Sequence, residues 1–396
     1  MIRFAHLSDC HLGCWRDPEL QELSVKAFEY AIDECIKEKV DFVLIAGDLF
    51  DTALPSVDVL KNATLKLKEL KDRNIPCYII AGSHDYSLSG KTFLDVLENA
   101  GLFVNIARHE ENENEVRLNV FKENGVILCG VSGKKTGLEM RTIQKIKHDK
   151  IMDNGLKILC LHTTLTEAKP KGMDMVESVD ADKLPQGFDY YALGHLHIRF
   201  TKIINGKFFV YPGPLFPACF SEFEELKSGS FCIVEYDGKI NVDRRDVKLK
   251  EVISINIDAN NKTAEQITDE IQNKISSIND SLITLRIEGT LSRGKTSDIN
   301  FSKIGELSVN NKNILLRNTN KLESPEFKAE KEPEGRDIEE IEKNVLEKYG
   351  KKEGYEEFSD VIGSIIHSLD SEKQEGETNQ IFESRLMEEI NKIFEI

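Results

Sequence analysis

Five short segments of this chain carry the residue types that could do chemistry. Gly194-His195-Leu196-His197 closes the apolar run Tyr190-Tyr191-Ala192-Leu193. Two histidines one residue apart at the end of a strand project to the same side, because strand side chains alternate with period two. Asp9 and His11 repeat that spacing after Ile2-Arg3-Phe4-Ala5-His6-Leu7. Asp48 follows Gly47 after Phe42–Ala46, Ser83-His84-Asp85 follows Gly82 after Cys77–Ala81, and His162 follows Lys157–Leu161. Imidazoles and carboxylates aimed at one point suit a divalent cation. Five of the nine histidines lie in this set, each beyond an apolar run, which is not how core-filling histidines are distributed. His6 lies inside the first strand and reads as a packed, hydrogen-bonded histidine rather than a ligand.

These segments must be held by strands that alternate with helices. Leu20, Leu23, Ala27, Phe28, Ala31, Ile32 and Cys35 give helical spacing over 20–38, and Val57, Leu60, Leu65, Leu67 and Leu70 give it over 55–73. Shorter helices are expected near 91–99 and 138–152, with a polar surface excursion at 105–125. The alternation predicts a doubly wound α/β sheet, whose ligands sit beyond the carboxyl ends of its strands. The later part reads as more β-rich: Lys202–Ile204, Phe208–Tyr211, and a hairpin of Phe231–Tyr236 and Lys239–Val242 turned by Asp237-Gly238.

A second unit is expected from about residue 249 to 321. Val252–Ile257, Leu282–Ile287 and Asn313–Leu316 read as strands, and Ile267, Ile271, Ile275 and Ile278 as a helical stripe. A charged linker covers 322–350. Residues 351–396 then carry two amphipathic patterns: Phe358, Val361, Ile362, Ile365, Ile366 and Leu369, and Phe382, Leu386, Ile390, Ile393 and Phe394. The linker favours a partner-binding segment over a hairpin folded back on the body, since two helices alone bury such stripes poorly.

The 396 residues are 40% hydrophobic and 31% charged, the composition of a globular protein with a real core. The eight cysteines include no Cys-x-x-Cys pair, and several fall in apolar runs, so a reducing cytoplasm is the expectation. Cys10 and Cys14 flank His11, but no second Cys/His pair at zinc spacing accompanies them, so they read as bystander thiols. No run suggests a membrane span or a signal peptide. The net charge is −17, with the acid concentrated beyond residue 320. That argues against a nonspecific basic coat but leaves room for a local nucleic-acid site.

Asp9-x-His11, Gly47-Asp48, Gly82-Ser83-His84-Asp85, the lone His162 and Gly194-His195-x-His197 resemble the motifs of the calcineurin-like metallophosphoesterases. Phe4-Ala5-His6-Leu7-Ser8-Asp9-Cys10-His11-Leu12-Gly13 and Ile45-Ala46-Gly47-Asp48-Leu49-Phe50-Asp51 more closely resemble the SbcD-like, Mre-type nuclease subunits of double-strand-break repair, of archaeal type. The resemblance is good over 1–245 and weaker beyond. It implies a metallophosphoesterase-type α/β sandwich (1–248), a small α/β DNA-binding cap (249–321) and a helical tail. It implies two Mn²⁺ ions, with Mg²⁺ as the alternative, one held by Asp9, His11, Asp48 and His197, the other by Asp48, Ser83, His162 and His195, with Asp48 bridging. Two dications against two carboxylates leave a positive site that attracts a phosphodiester. His84 would then protonate or stabilise the leaving oxygen, oriented by Asp85. Ser83 stands where the family usually has asparagine, and its shorter hydroxyl predicts looser binding of the second ion.

The implied function is DNA exo/endonuclease action at DNA ends, with an SMC-like ABC ATPase of the SbcC/Rad type on the tail helices and a second copy of the chain through helices 55–73 and 91–99. Lys134, Lys135, Lys169, Lys171, Arg199, Arg293 and Lys295 are the candidate phosphate contacts. The competing readings are a phosphoesterase for small nucleotides or phosphoproteins, and an end-bridging scaffold without catalysis.

Overall fold

The computed structural model describes residues 1–85, 87, 92–112, 115–134, 139–146, 154–170, 172, 176–325 and 379–393. Met1–Leu322 form one compact unit and Glu323–Ile396 a second.

The first unit does not hold one doubly wound sheet but two six-stranded sheets face to face. Sheet one contains β1 (Ile2–Leu7), β2 (Phe42–Ala46), β3 (Cys77–Ile80), β4 (Val104–Asn105), β13 (Gly229–Tyr236) and β14 (Ile240–Val247), in the order β14-β13-β1-β2-β3-β4. Sheet two contains β7 (Phe121–Glu123), β8 (Val126–Val131), β9 (Leu156–His162), β10 (Tyr190–Gly194), β11 (Phe200–Ile204) and β12 (Lys207–Tyr211), in the order β11-β12-β10-β9-β8-β7. Sheet two has a parallel centre with an antiparallel strand at each edge, whereas sheet one is parallel from β1 to β4 and antiparallel only on its β13-β14 side. The split has a side-chain cause. β2, β9 and β10 are apolar on both faces, so each sheet needs cover on both sides. One face of each goes into the shared layer of Phe4, Leu44, Ile80, Leu128, Ile158, Tyr190 and Val210. The other face of sheet one packs on α1 (Pro18–Lys37) and α2 (Val57–Asp72).

α1 starts two residues earlier than its apolar stripe, because Asp17 caps the Glu19 and Leu20 N–H groups at 3.0 Å and Pro18 suits the first turn. α3 covers Phe93–Asn99, while α4 is only Glu139–Gln144, with 147–153 outside the described residues. The polar excursion holds β5 (His109–Glu111) paired with β6 (Val116–Leu118).

The cap region has its own sheet, β15 (Glu251–Asp258), β16 (Ser281–Thr290) and β17 (Ile314–Glu323), in that order. Helices α6 (Ala264–Ile275) and α7 (Phe301–Asn310) cover it around Ile255, Ile257, Ile267, Ile271, Ile283, Leu285, Ile287 and Ile304. In the second unit, α8 (Asn379–Ile393) carries Phe382, Leu386, Ile390 and Ile393; Phe358, Val361, Ile362, Ile365, Ile366, Leu369 and Phe394 lie outside the described residues. No helix among the described residues is long and apolar enough to cross a membrane.

Candidate metal centre

The carboxyl ends of β1, β2, β3, β9 and β10 meet on one rim, where the two sheets touch. Three strands of backbone chemistry hold it. The loop after β1 runs beside the loop after β2: the Asp9 N–H donates to the Gly47 carbonyl at 3.1 Å, and His11 N–H to the Asp48 carbonyl at 3.0 Å. Asp9, His11, Asp48 and His195 all adopt positive φ, at 49°, 42°, 51° and 96°. Such backbone is costly outside glycine and persists where the surroundings over-determine it, often at functional sites. Glycines admit the close approach. A Cβ on Gly47 would stand 2.2 Å from His162 Nδ1, and one on Gly194 would stand 2.0 Å from the Ala46 carbonyl oxygen.

The donor atoms converge in three overlapping groups, each with its ligand atoms within 4.8 Å of one another: Asp9, His11 and His197; His11, Asp48 and His84; Asp9, Asp48 and His162. Asp48 Oδ2 lies between His11 Nε2 at 3.6 Å and His162 Nε2 at 3.1 Å. His11 Nε2 faces His197 Nε2 at 3.1 Å, and His197 Nε2 is 3.8 Å from Asp9 Oδ1. His195 stands beside these groups: its N–H donates to Asp9 Oδ1 at 2.9 Å, and its ring lies 5.0 Å from that of His162. Ser83 Oγ reaches Asp48 Oδ2 only at 3.5 Å.

One rule organises the rings. His11 Nδ1 pairs with Asp51 Oδ1 at 3.1 Å, His197 Nδ1 with Glu222 Oε1 at 2.7 Å, His162 Nδ1 with the Ala46 carbonyl at 2.9 Å and His84 Nδ1 with the Asp51 carbonyl at 2.8 Å. Each acceptor calls for a proton on Nδ1, which leaves the Nε2 lone pairs of His11, His162 and His197 for the interior of the site and Nε2 of His84 at its half-exposed edge.

The electrostatics favour positive charge between the carboxylates. Asp9 and Asp48 are 0% and 2% exposed. Burial opposes charge on His162, but the Asp48 carboxylate against it, aided by Asp9, pushes its pKa up to about 10. Burial likewise opposes charge on His197, yet the bond to Glu222 and the charges of Asp9, Glu222 and Asp48 push it up to about 9. Asp48 would be raised by burial, but His162 and His11 hold it below the usual carboxylate range. His195 goes the other way, down to about 4, through burial and the charge on His162. His162 Nε2 is also buried with no well-directed hydrogen-bond partner among the described residues. Protons stand here where a divalent cation satisfies the same carboxylates and lone pairs, so the residues fit a metal of the imidazole/carboxylate class.

Several expectations need correction or addition. Asp85 does not orient His84. Its buried carboxylate accepts from the Leu49, Phe50 and Gly82 N–H groups at 3.0–3.1 Å, tying the Asp48 loop to the Ser83 loop. Burial, then the charge of Asp48, push its pKa up to about 6. The backbone carbonyl of Asp51 holds His84 instead. Arg199 is no free phosphate contact: its guanidinium donates to Ser228, Gly229 and Ser230 and pairs with Asp246 at 3.3 Å. Lys134 Nζ reaches Thr142 Oγ1 at 3.4 Å, Arg293 and Lys295 are exposed in the cap, Lys169 is half-buried, and Lys135 and Lys171 lie outside the described residues. His6 is buried, with Nδ1 2.9 Å from the Tyr190 hydroxyl. Glu222 and the carboxylate of Asp51 were not anticipated. Asp51 had a signal, three residues past Asp48 in the same turn, while Glu222 sits on helix α5 (Phe220–Leu226), which no periodicity announced.

A sandwich of two sheets whose strand ends gather an aspartate–histidine donor set is the metallophosphoesterase architecture. Residues 2–199 match the family described as calcineurin-like phosphoesterase, and the chain belongs to that family. It is similar to proteins named "DNA double-strand break repair protein Mre11". That of Archaeoglobus fulgidus is 30% identical over 223 residues, 54% of this chain and 49% of the relative. That of Methanococcus maripaludis is 29% identical over 327 residues, 74% and 84%. That of Sulfolobus acidocaldarius is 26% identical over 392 residues, 94% and 97%. The match thus spans about half the length of the first relative and nearly all of the third.

Proposed function

We propose that the chain is a Mn²⁺-dependent DNA exo/endonuclease that hydrolyses phosphodiester bonds at DNA ends. The observation that carries the chemistry is the convergence of Asp9, His11, Asp48, His84, His162 and His197 at one rim. The names of the archaeal relatives favour DNA ends over small nucleotides as substrate.

Asp9, His11, Asp48 and His197 would hold one cation, and Asp48, Ser83, His162 and His195 the other. Bound there, divalent cations polarise a phosphodiester oxygen and make water a nucleophile at neutral pH. The chain's own part is positioning and proton handling. Asp51, Glu222 and the Ala46 carbonyl fix the imidazoles by their Nδ1–H groups, so the site needs little rearrangement as charge develops. His84, with a half-exposed side chain at the rim, is held by the Asp51 carbonyl with its Nε2 turned away from that bond. Protonated there, it donates to the leaving oxygen. Partners follow the same reading: a second copy across exposed Val57, Leu65 and Val96 of α2 and α3, and an SMC-like ATPase on α8 and the segment before it.

The test is cleavage of linear duplex DNA with Mn²⁺ and, separately, with Mg²⁺, beside cyclic nucleotides and a phosphopeptide, with and without residues 350–396 and the ATPase. His84→Ala is expected to slow DNA cleavage about 10²- to 10⁴-fold, the usual weight of general acid catalysis, with cation binding kept. Preferred turnover of cyclic nucleotides would make this a small-substrate phosphoesterase. Undiminished cleavage by His84→Ala would remove the acid role.

A further inference from the structure

Helix α5 touches the metal rim on one side and the cap sheet on the other. On the rim side, Glu222 Oε1 holds His197 Nδ1 at 2.7 Å while its Oε2 accepts the Ala218 N–H at 2.8 Å. On the cap side, two residues along, Glu224 takes Arg286 of β16 in a two-pronged pair, with Nε 3.1 and 3.2 Å from its two oxygens and Nη2 also bonded. The Arg286 guanidinium also lies over the Phe220 ring at 5.1 Å, and Lys227, just past the helix, bonds Ser254 of β15. Between the two carboxylates, Phe223 is 2% exposed and packs on Phe216 and Trp15. A seven-residue helix pinned at its middle and gripped by the cap has little freedom to move Glu224 without moving Glu222.

We propose that Glu222 positions His197 for its cation, and that Arg286 makes this positioning depend on how the cap sits against α5. The proposal rests on the metal reading of the rim and adds a route by which anything that shifts the cap changes cation affinity. Glu222 is a positioning residue: it acts on the cation only through the His197 ring. A carboxylate that holds the far nitrogen of a metal-binding imidazole fixes the tautomer and orientation and raises ligand basicity, and its loss typically lowers metal affinity about 10- to 100-fold. The bidentate geometry at Glu224 is directional as well as attractive, so it can set the angle of α5 and not only its distance.

The experiment uses the full chain and Mn²⁺ alone, read by titration calorimetry, with the His197 ring Nδ1–H proton followed by NMR in metal-free protein. Glu222→Ala is expected to weaken one class of Mn²⁺ site about 10- to 100-fold, with Glu222→Gln recovering part of the loss because its amide oxygen still accepts the Nδ1–H. Arg286→Ala is expected to weaken the same class by a smaller factor, roughly 3- to 10-fold, and to shift or broaden the His197 ring proton. Glu224→Gln supplies a second route should Arg286→Ala fold poorly. The decisive arm is the double variant: Arg286→Ala in a Glu222→Ala background should cost nothing further. Lys262→Ala, which breaks the cap's pair with Glu270 away from α5, should leave Mn²⁺ binding unchanged.

An Arg286→Ala chain with unaltered Mn²⁺ affinity and an unmoved ring proton overturns the link. So does an equal Arg286→Ala loss with and without Glu222, or an equal loss from Lys262→Ala. A wild-type chain that binds no Mn²⁺ overturns the metal reading instead, and the ring proton alone then decides whether the cap reaches His197. Cleavage of DNA enters none of these readouts, so failure of the nuclease assay leaves the link standing.

Discussion

The metal rim and the cap sheet obey opposite rules. The rim buries Asp9, His11, Asp48, Asp85 and His162, while the cap interior is Ile267, Ile271, Ile275, Ile283 and Leu285. The rim places candidate ligand residues at positive φ, whereas the cap's non-glycine residues at positive φ are Asn261, Asp280 and Lys312, at the connections between elements. The rim is held by directed hydrogen bonds to charged and ring atoms, the cap by apolar burial. Buried charges destabilise unless paired, so a fold keeps so many together only where a cation or a reaction uses them. The cap interior has no such demand and answers only to packing.

That contrast can be broken most severely at Asp48. Asp48→Ala removes the carboxylate that stands between His11 and His162, and is expected to abolish binding of both Mn²⁺ ions and all cleavage while the chain stays folded. Calorimetry beside circular dichroism checks it, and a variant that still binds two ions would show that Asp48 does not bridge. Gly47→Ala comes next. Its φ of +87° and the 2.2 Å approach to His162 Nδ1 leave no room for a methyl group, so His162 must move and one Mn²⁺ site should be lost, with a large drop in Tm.

The cap gives the inverse result. Ile271→Ala empties a fully buried position and should cost about 2–5 kcal/mol in a denaturant titration without changing Mn²⁺ affinity. The pH response separates the regions more gently. His162 and His197 have their pKa values raised to about 10 and about 9 from 6.5, so the metal-free fold holds protons that the unfolded chain has released. This stabilisation is complete below pH 6.5 and is lost as the pH rises through 9 to 10. Tm of the metal-free protein should therefore fall over that window. Saturating Mn²⁺ should remove the trend, since ligation replaces those protons. Smallest of all is Gly305→Ala in α7: its φ is ordinary and no atom lies within 4 Å of the new methyl, so it should stabilise the chain by about 0.5–1 kcal/mol.

The same contrast explains what could be read from the sequence. That Asp9, His11, Asp48, His162 and His197 come together was legible because each follows an apolar strand and the α/β rule sends strand ends to one rim, while His195, read in the same way, stands beside their donor groups. The cap strands were legible from isoleucine spacing. The division into two sheets could not be read from the strand-helix alternation, because an apolar strand reads alike whether a helix or a second sheet covers it; the motif resemblance alone implied the sandwich that the structure shows. Asp85 was misread because sequence adjacency to His84 says nothing of where its carboxylate turns; three backbone N–H groups claim it. Arg199 was misread because a cation two residues past His197 looks free until Ser228, Ser230 and Asp246 arrive from distant segments. Glu222 was invisible for the same reason: it meets His197 across 25 residues.

The central claim is that strand ends from two sheets cage a pair of cations. Crystals grown with Mn²⁺ and measured at the manganese absorption edge test it directly. The account predicts two anomalous peaks, one among Asp9, His11, Asp48 and His197, the other among Asp48, Ser83, His162 and His195, the latter weaker because a serine hydroxyl replaces a carboxamide. The absence of any anomalous peak at this rim, or manganese bound only elsewhere on the chain, would contradict it.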